Sequence, residues 1–164
     1  MHVAVVSLGA FGHVNPTLSP VTELIKRGVR VTYFTTENFR RIVEPTGAKF
    51  VPVPSWMADN DPQTRSNETG EKNDDGDSVA AVVPFLFLNE AGAYIDTVLD
   101  VLKDDRPDAI MHDFAGIAGT MAADVLGVPN IMLYASYPAN DNYSVAESFS
   151  NVPADHPLRI AADR

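Results

Sequence analysis

The sequence predicts an α/β fold: a doubly wound parallel sheet with strands in the order 3-2-1-4-5. Three observations predict it. Short β-branched runs alternate with amphipathic runs from Val3 to Tyr134, the pattern of strands joined by crossover helices. Such crossovers are right-handed, which leaves few strand orders open. The chain has 164 residues, 45% of them hydrophobic, enough for one domain with a sizeable core.

Val3 to Leu8 is apolar and β-branched and forms strand one. Gly9 to Pro16 reads as a loop, in which two glycines permit a tight turn and close approach of a ligand. Asn15 is an N-cap type and Pro16 suits a first helical position, so helix one is expected over Thr17 to Arg27, stopped by Gly28. Val29 to Phe34 is strand two. Glu37 to Glu44 is a short helix closed by Pro45 and Gly47, and Lys49 to Val53 is strand three.

Pro54 to Ser78 is polar, with Trp56, Met57 and Ala58 as its only apolar cluster. It reads as a long acidic loop, and loops of that length in compact domains are often functional. It is not a calcium loop: aligning Gly76 to the required glycine puts Val82 where a bidentate Glu belongs. Val79 to Lys103 is helical, with Ile95, Val98, Leu99 and Leu102 on the buried face. Pro84 should start a second helix there or kink the first. Asp108 to His112 is strand four. Gly116 to Leu126 is an alanine-rich helix stopped by Gly127, and Asn130 to Tyr134 is strand five. From Ala135 the chain is polar and irregular.

The formal charge of −10 argues against a nucleic-acid surface or a polybasic membrane anchor. There are no cysteines, which excludes thiolate chemistry and cysteine metal sites and fits a cytoplasmic protein. No basic region precedes the first apolar run, and no run is long enough for a membrane span, so neither a signal peptide nor a transmembrane helix is expected.

In a sheet of this order, ligands bind beyond the carboxyl ends of the strands, where the chain reverses direction between strands one and four. His13 follows strand one and Asp113 follows strand four. The topology therefore makes them neighbours. Such a pair suits general-base chemistry: the imidazole takes a proton from a hydroxyl, and the carboxylate fixes its tautomer. The plainer alternative is that His13 bonds its own loop and Asp113 caps the next helix. The loop carries neither a complete dinucleotide fingerprint nor a Gly-Lys-Ser/Thr phosphate cradle. His2, His112 and His156 show no metal-ligand spacing, so no metal is expected.

Gly12-His13-Val14-Asn15-Pro16-Thr17-Leu18, Glu23-Leu24, Arg27-Gly28, Val31-Thr32-Tyr33 and Thr46-Gly47-Ala48 resemble the amino-terminal half of GT-B family 1 glycosyltransferases, in the macrolide glycosyltransferase branch. Asp105-Arg106-Pro107-Asp108, His112-Asp113-Phe114 and Gly127-Val128-Pro129 are similar to the same branch. The resemblance implies that residues 1–164 are a single Rossmann-like acceptor domain. It implies His13 as general base and Asp113 as the acid that holds it. It also implies transfer from a nucleotide sugar, a UDP sugar by family, to a hydroxyl of an apolar small molecule, with inversion. The donor nucleotide would be gripped mainly by a carboxyl-terminal domain, supplied in cis or in trans, and no other cofactor is expected. Candidates for the acceptor site are Phe11, Gly12, Asn15, Trp56, Met57, Phe85, Phe114 and Tyr137, while Phe34 and Phe87 are assigned to the core. A non-catalytic small-molecule-binding or partner domain, or one subunit of a split enzyme, stands as the alternative.

Overall fold

The computed structural model describes residues 1–59 and 77–135. Most of the acidic loop, and Tyr137, lie outside the described residues. The elements are β1 (His2–Val6), α1 (Phe11–Lys26), β2 (Arg30–Thr35), α2 (Arg40–Val43, flanked by 3₁₀ turns Glu37–Phe39 and Glu44–Thr46), β3 (Lys49–Pro52) and α3 (Trp56–Asp59). There follow α4 (Asp77–Leu102), β4 (Ala109–Asp113), α5 (Ile117–Leu126) and β5 (Asn130–Leu133). The sheet order is β3-β2-β1-β4-β5 and every pairing is parallel, as the alternation predicts.

Side chains alternate across the central strands and feed two cores. Ala4, Val6, Phe34 and Ile110 pack against Tyr94, Val98 and Leu102 of α4 and Ala118 and Ala122 of α5. Val3, Val5, Val31, Tyr33 and Met111 pack against Val14 and Val21 of α1 and Val43 of α2. Phe34 is wholly buried, as assigned.

Helix one begins six residues earlier than its capping signals suggest, at Phe11 rather than Thr17. Ala10, extended and without a side-chain cap, is the N-cap, and Asn15 lies exposed inside the helix. Pro16 and Pro20 also lie within it. Lacking N–H groups, they leave the carbonyls of Gly12 and Pro16 without the usual partner four residues on. Both of those residues are exposed, so water can serve their carbonyls. What draws the helix back is Val14, which extends the buried stripe of Thr17 and Val21 by one turn. The stretch read as a loop is therefore mostly the first turns of α1, and only residues 7–10 connect it to β1.

Three further boundaries move. α4 is one helix across Pro84, not two, and it begins at Asp77. Its deepest stripe is Ala91, Tyr94, Val98 and Leu102, with Ile95 and Leu99 only partly covered. Trp56 and Met57 sit on a helical turn instead of a loop. β4 runs through Asp113, which is its last residue.

The Asp-Arg-Pro-Asp segment before β4 ties down the opposite end of the sheet. Arg30 chelates Asp105 with both terminal guanidinium nitrogens. Asp108 Oδ2 accepts the His2 N–H at 2.6 Å, and Arg106 donates to the carbonyls of Leu126 and Gly127 where α5 ends.

At the other end, residues 7–10 run tightly past the chain that leaves β2. A Cβ on Gly9 would lie 2.3 Å from Thr36 Oγ1 and 3.0 Å from Thr36 Cβ. Thr36 is buried and its Cβ cannot swing away. Gly9→Ala should therefore destabilise the fold by about 1–3 kcal/mol in urea unfolding, the usual cost of overpacking. Adding Thr36→Ala should recover most of that loss.

Candidate functional site

His13 stands in the first turn of α1 and Asp113 at the carboxyl end of β4, next to β1. Their neighbourhood follows from the strand order, since β1 and β4 flank the point where the sheet reverses direction. His13 Nδ1 lies 2.7 Å from Asp113 Oδ1. The carboxylate only accepts, so Nδ1 carries a proton, and in the neutral imidazole Nε2 is the nitrogen with the lone pair.

Asp113 is 1% exposed. Its Oδ1 also accepts the Ala115 N–H at 2.9 Å, and its Oδ2 accepts the Leu8 N–H at 2.9 Å. Burial works to raise its pKa, but His13 and the two backbone donors outweigh it and hold the carboxyl below the ordinary aspartate value. Asp113 does not cap α5, whose N-cap is Gly116 without a side-chain partner. It braces the turn into α5 through Ala115 and it grips His13. It also fastens the residues from which α1 starts.

His112, which the sequence reading left without a role, is 1% exposed. Its Nδ1–H donates to the Asp113 carbonyl at 2.7 Å and its Nε2 lies 3.0 Å from Thr120 Oγ1. It therefore steadies the backbone of Asp113. Its signal in the sequence was its place on a buried central strand, where a polar side chain needs partners.

The imidazole of His13 borders an aromatic cluster. The Phe114 ring centroid is 5.1 Å from that of His13, 6.3 Å from Phe87 and 6.5 Å from Tyr134, with Tyr134 nearly parallel. Phe114 and Tyr134 are exposed, so this cluster presents an apolar wall to solvent. Phe87 corrects its assignment to the core, because it stands edge-on to Phe114 from α4. Tyr134 was overlooked because it closes a strand, where an aromatic residue is unremarkable.

The other candidates are dispersed. Phe11 is exposed and edge-on to Phe39, 5.0 Å between centroids, past the end of β2. Gly12 and Asn15 are exposed on α1, and a Cβ on Gly12 would touch nothing. Phe85 is exposed on α4. Trp56 and Met57 are partly buried, and Met57 N–H donates to Glu90 Oε2 at 2.8 Å. Among the described residues no cluster of His, Asp and Glu could hold a metal ion, and no helix is long and apolar enough to cross a membrane.

The lowered pKa of Asp113 links stability to pH. Between the folded and unfolded values the unfolded chain binds more protons, so the ionised carboxylate contributes fully above the ordinary range and is lost as pH falls through the folded value. Asp113→Asn should therefore be less stable than the parent by a constant amount near neutrality. That gap should shrink below about pH 4, the ordinary aspartate range. Urea unfolding of both proteins as a function of pH measures it.

No family model matches the chain. It is 35% identical over 144 residues to the NDP-glycosyltransferase YjiC of Bacillus subtilis, covering 88% of this chain and 34% of that protein. It is 31% identical over 156 residues to the oleandomycin glycosyltransferase of Streptomyces antibioticus, covering 93% and 34%. Among solved structures it superposes on the calicheamicin glycosyltransferase CalG4 with a TM-score of 0.77 at 27% identity, covering 98% of this chain and 40% of that one. The chain spans about a third of the length of the curated relatives it matches. In sequence and in fold, it is homologous to the GT-B glycosyltransferases, macrolide glycosyltransferases among them.

Proposed function

We propose that this chain is the acceptor-binding, base-bearing part of an inverting glycosyltransferase. The observation that carries the reading is the 2.7 Å bond from His13 Nδ1 to buried Asp113. That bond leaves Nε2 free to take a proton beside an apolar wall. An acceptor hydroxyl gives its proton to Nε2 as its oxygen attacks the anomeric carbon of a nucleotide sugar. The bond from that carbon to the diphosphate breaks on the opposite face, and the nucleoside diphosphate leaves with the electron pair. The anomeric centre inverts. Asp113 keeps the proton-bearing nitrogen turned away and stabilises the imidazolium without itself taking the proton.

The acceptor would be an apolar small molecule with a hydroxyl, lying against Phe114, Phe87 and Tyr134, with Phe11, Phe85, Trp56, Met57 and Tyr137 as outer contacts. This composition suits a ligand site, mostly apolar with few polar groups. The macrolide-related names of some relatives agree with such an acceptor. The donor, a UDP sugar by family resemblance, would be held by a carboxyl-terminal domain joined in cis or in trans. A non-catalytic binding module would need the wall but not a buried carboxylate held by two backbone donors and trained on one imidazole, which favours the enzyme.

Two measurements test this. With the donor-binding portion present, His13→Ala should lower turnover of an alcohol acceptor by roughly 10²–10⁴-fold, the range for a general base. Asp113→Asn should lower it too, and both variants should keep most of their acceptor affinity. Turnover of His13→Ala within a few-fold of the parent would remove His13 from the chemistry. Separately, calorimetry of residues 1–164 with a UDP sugar should show no saturable micromolar binding. Such binding would overturn the assignment of the donor to another domain.

A further inference from the structure

Glu90 and Tyr94 lie one turn apart on the buried stripe of α4, and neither takes part in the proton transfer above. Glu90 is 3% exposed and Tyr94 2%. Among the described residues no Lys, Arg or His pairs with Glu90. A buried carboxylate without a cation is costly unless hydrogen bonds serve it, and an apolar side chain of similar volume would hold the core as well. Its partners are therefore informative. Glu90 Oε2 accepts the Met57 N–H at 2.8 Å. Tyr94 Oη accepts the Gly9 N–H at 3.2 Å. Burial, and then the Glu90 charge beside it, push the Tyr94 hydroxyl pKa up, so the group keeps its proton. Two successive turns of α4 thus each hold a backbone N–H from a distant segment, Tyr94 that of Gly9 and Glu90 that of Met57.

We propose that Tyr94 and Glu90 are positioning residues, Tyr94 for His13, by fixing the backbone that launches α1, and Glu90, one turn before it on the same buried face of α4, by holding the turn that carries Trp56 and Met57 against that helix. The proposal rests on the general-base reading. Leu8 and Gly9 are anchored by two different elements, Leu8 by Asp113 at the end of β4 and Gly9 by Tyr94 of α4. Thr36 presses on Gly9 from a third side. His13 lies one helical turn beyond Gly9, so a displacement of Gly9 carries into the His13–Asp113 bond. Small misplacements of a base are costly, because proton transfer needs hydrogen-bond reach. Through Glu90 the same helix also holds the turn expected to meet the acceptor.

Tyr94→Phe in the full-length enzyme is the test, since it deletes one hydroxyl and keeps the ring in its packing. Nitrogen NMR of histidine-labelled protein should show His13 as a single Nδ1–H tautomer in the parent and as a mixture in the variant. With a phenyl-substituted primary alcohol as acceptor, kcat should fall roughly tenfold, part of the factor a general base supplies, while KM stays within about twofold. With a nitrophenol acceptor, which ionises unaided, kcat should stay within about twofold of the parent. Glu90→Gln, which keeps a carbonyl acceptor for Met57, should retain more alcohol turnover than Glu90→Leu. An unchanged tautomer, or an equal loss on both acceptors, overturns the positioning role. A loss in His13→Ala without one in Tyr94→Phe sinks positioning alone, whereas an unimpaired His13→Ala sinks the general-base reading itself.

Discussion

The carboxylate of Asp113 is the point on which this end of the molecule depends. It sits at the end of β4, is almost wholly buried, and accepts from His13, Leu8 and Ala115. A buried carboxylate is tolerated only when its lone pairs are served, and hydrogen bonds to a charged group contribute about 1.5–3 kcal/mol each. Those donors come from α1, from the segment after β1 and from the turn into α5. One anion therefore defines how three pieces of chain converge, and the orientation of the imidazole is a by-product of that convergence.

The sheet supplies the rigidity that makes such a point contact useful. Its central strands are buried on both faces, with separate cores against α4 and α5 on one side and α1 and α2 on the other. β1 and β4 are neighbours over Val3 to Val6, in register with Ala109 to His112, so their carboxyl ends are held at a fixed separation. His112 adds a second restraint by holding the Asp113 carbonyl from inside the core. Polar groups in such a core are expensive unless satisfied, and His112 and Asp113 at the end of β4 both have their partners.

Among the residues that carry the likeness to the glycosyltransferases, two groups lie at opposite edges of the sheet. Those at the carboxyl edge of the sheet, His13, Asp113 and Phe114, meet around one imidazole. Those at the amino edge, Asp105, Arg106 and Asp108, hold strand and helix ends through Arg30, the α5 carbonyls and the His2 amide. The second group supports the fold and has no access to the site. A motif match alone does not separate the two, and the hydrogen-bond partners do.

The order of elements, the strand order and the His13–Asp113 pair were all legible in the sequence. They rest on local periodicity and on a handedness rule that holds for nearly all crossovers. The start of α1 was misread because capping signals are local, whereas the burial of Val14 is a tertiary gain that outweighs Asn15 and Pro16. Phe87 is assigned to the core by its apolar type, but its ring meets Phe114 beyond the end of β4, a contact no local pattern encodes. Tyr94 and Glu90 look in sequence like ordinary members of a helix. Their importance comes from Gly9 and Met57, which approach them from 85 and 33 positions away. The sequence by itself determined which strands exist and which strand ends face each other, because both follow from patterning over a few residues and the handedness of crossovers. Only the tertiary structure decided which polar groups meet inside, because hydrogen-bond partners are set by distances that local pattern does not encode.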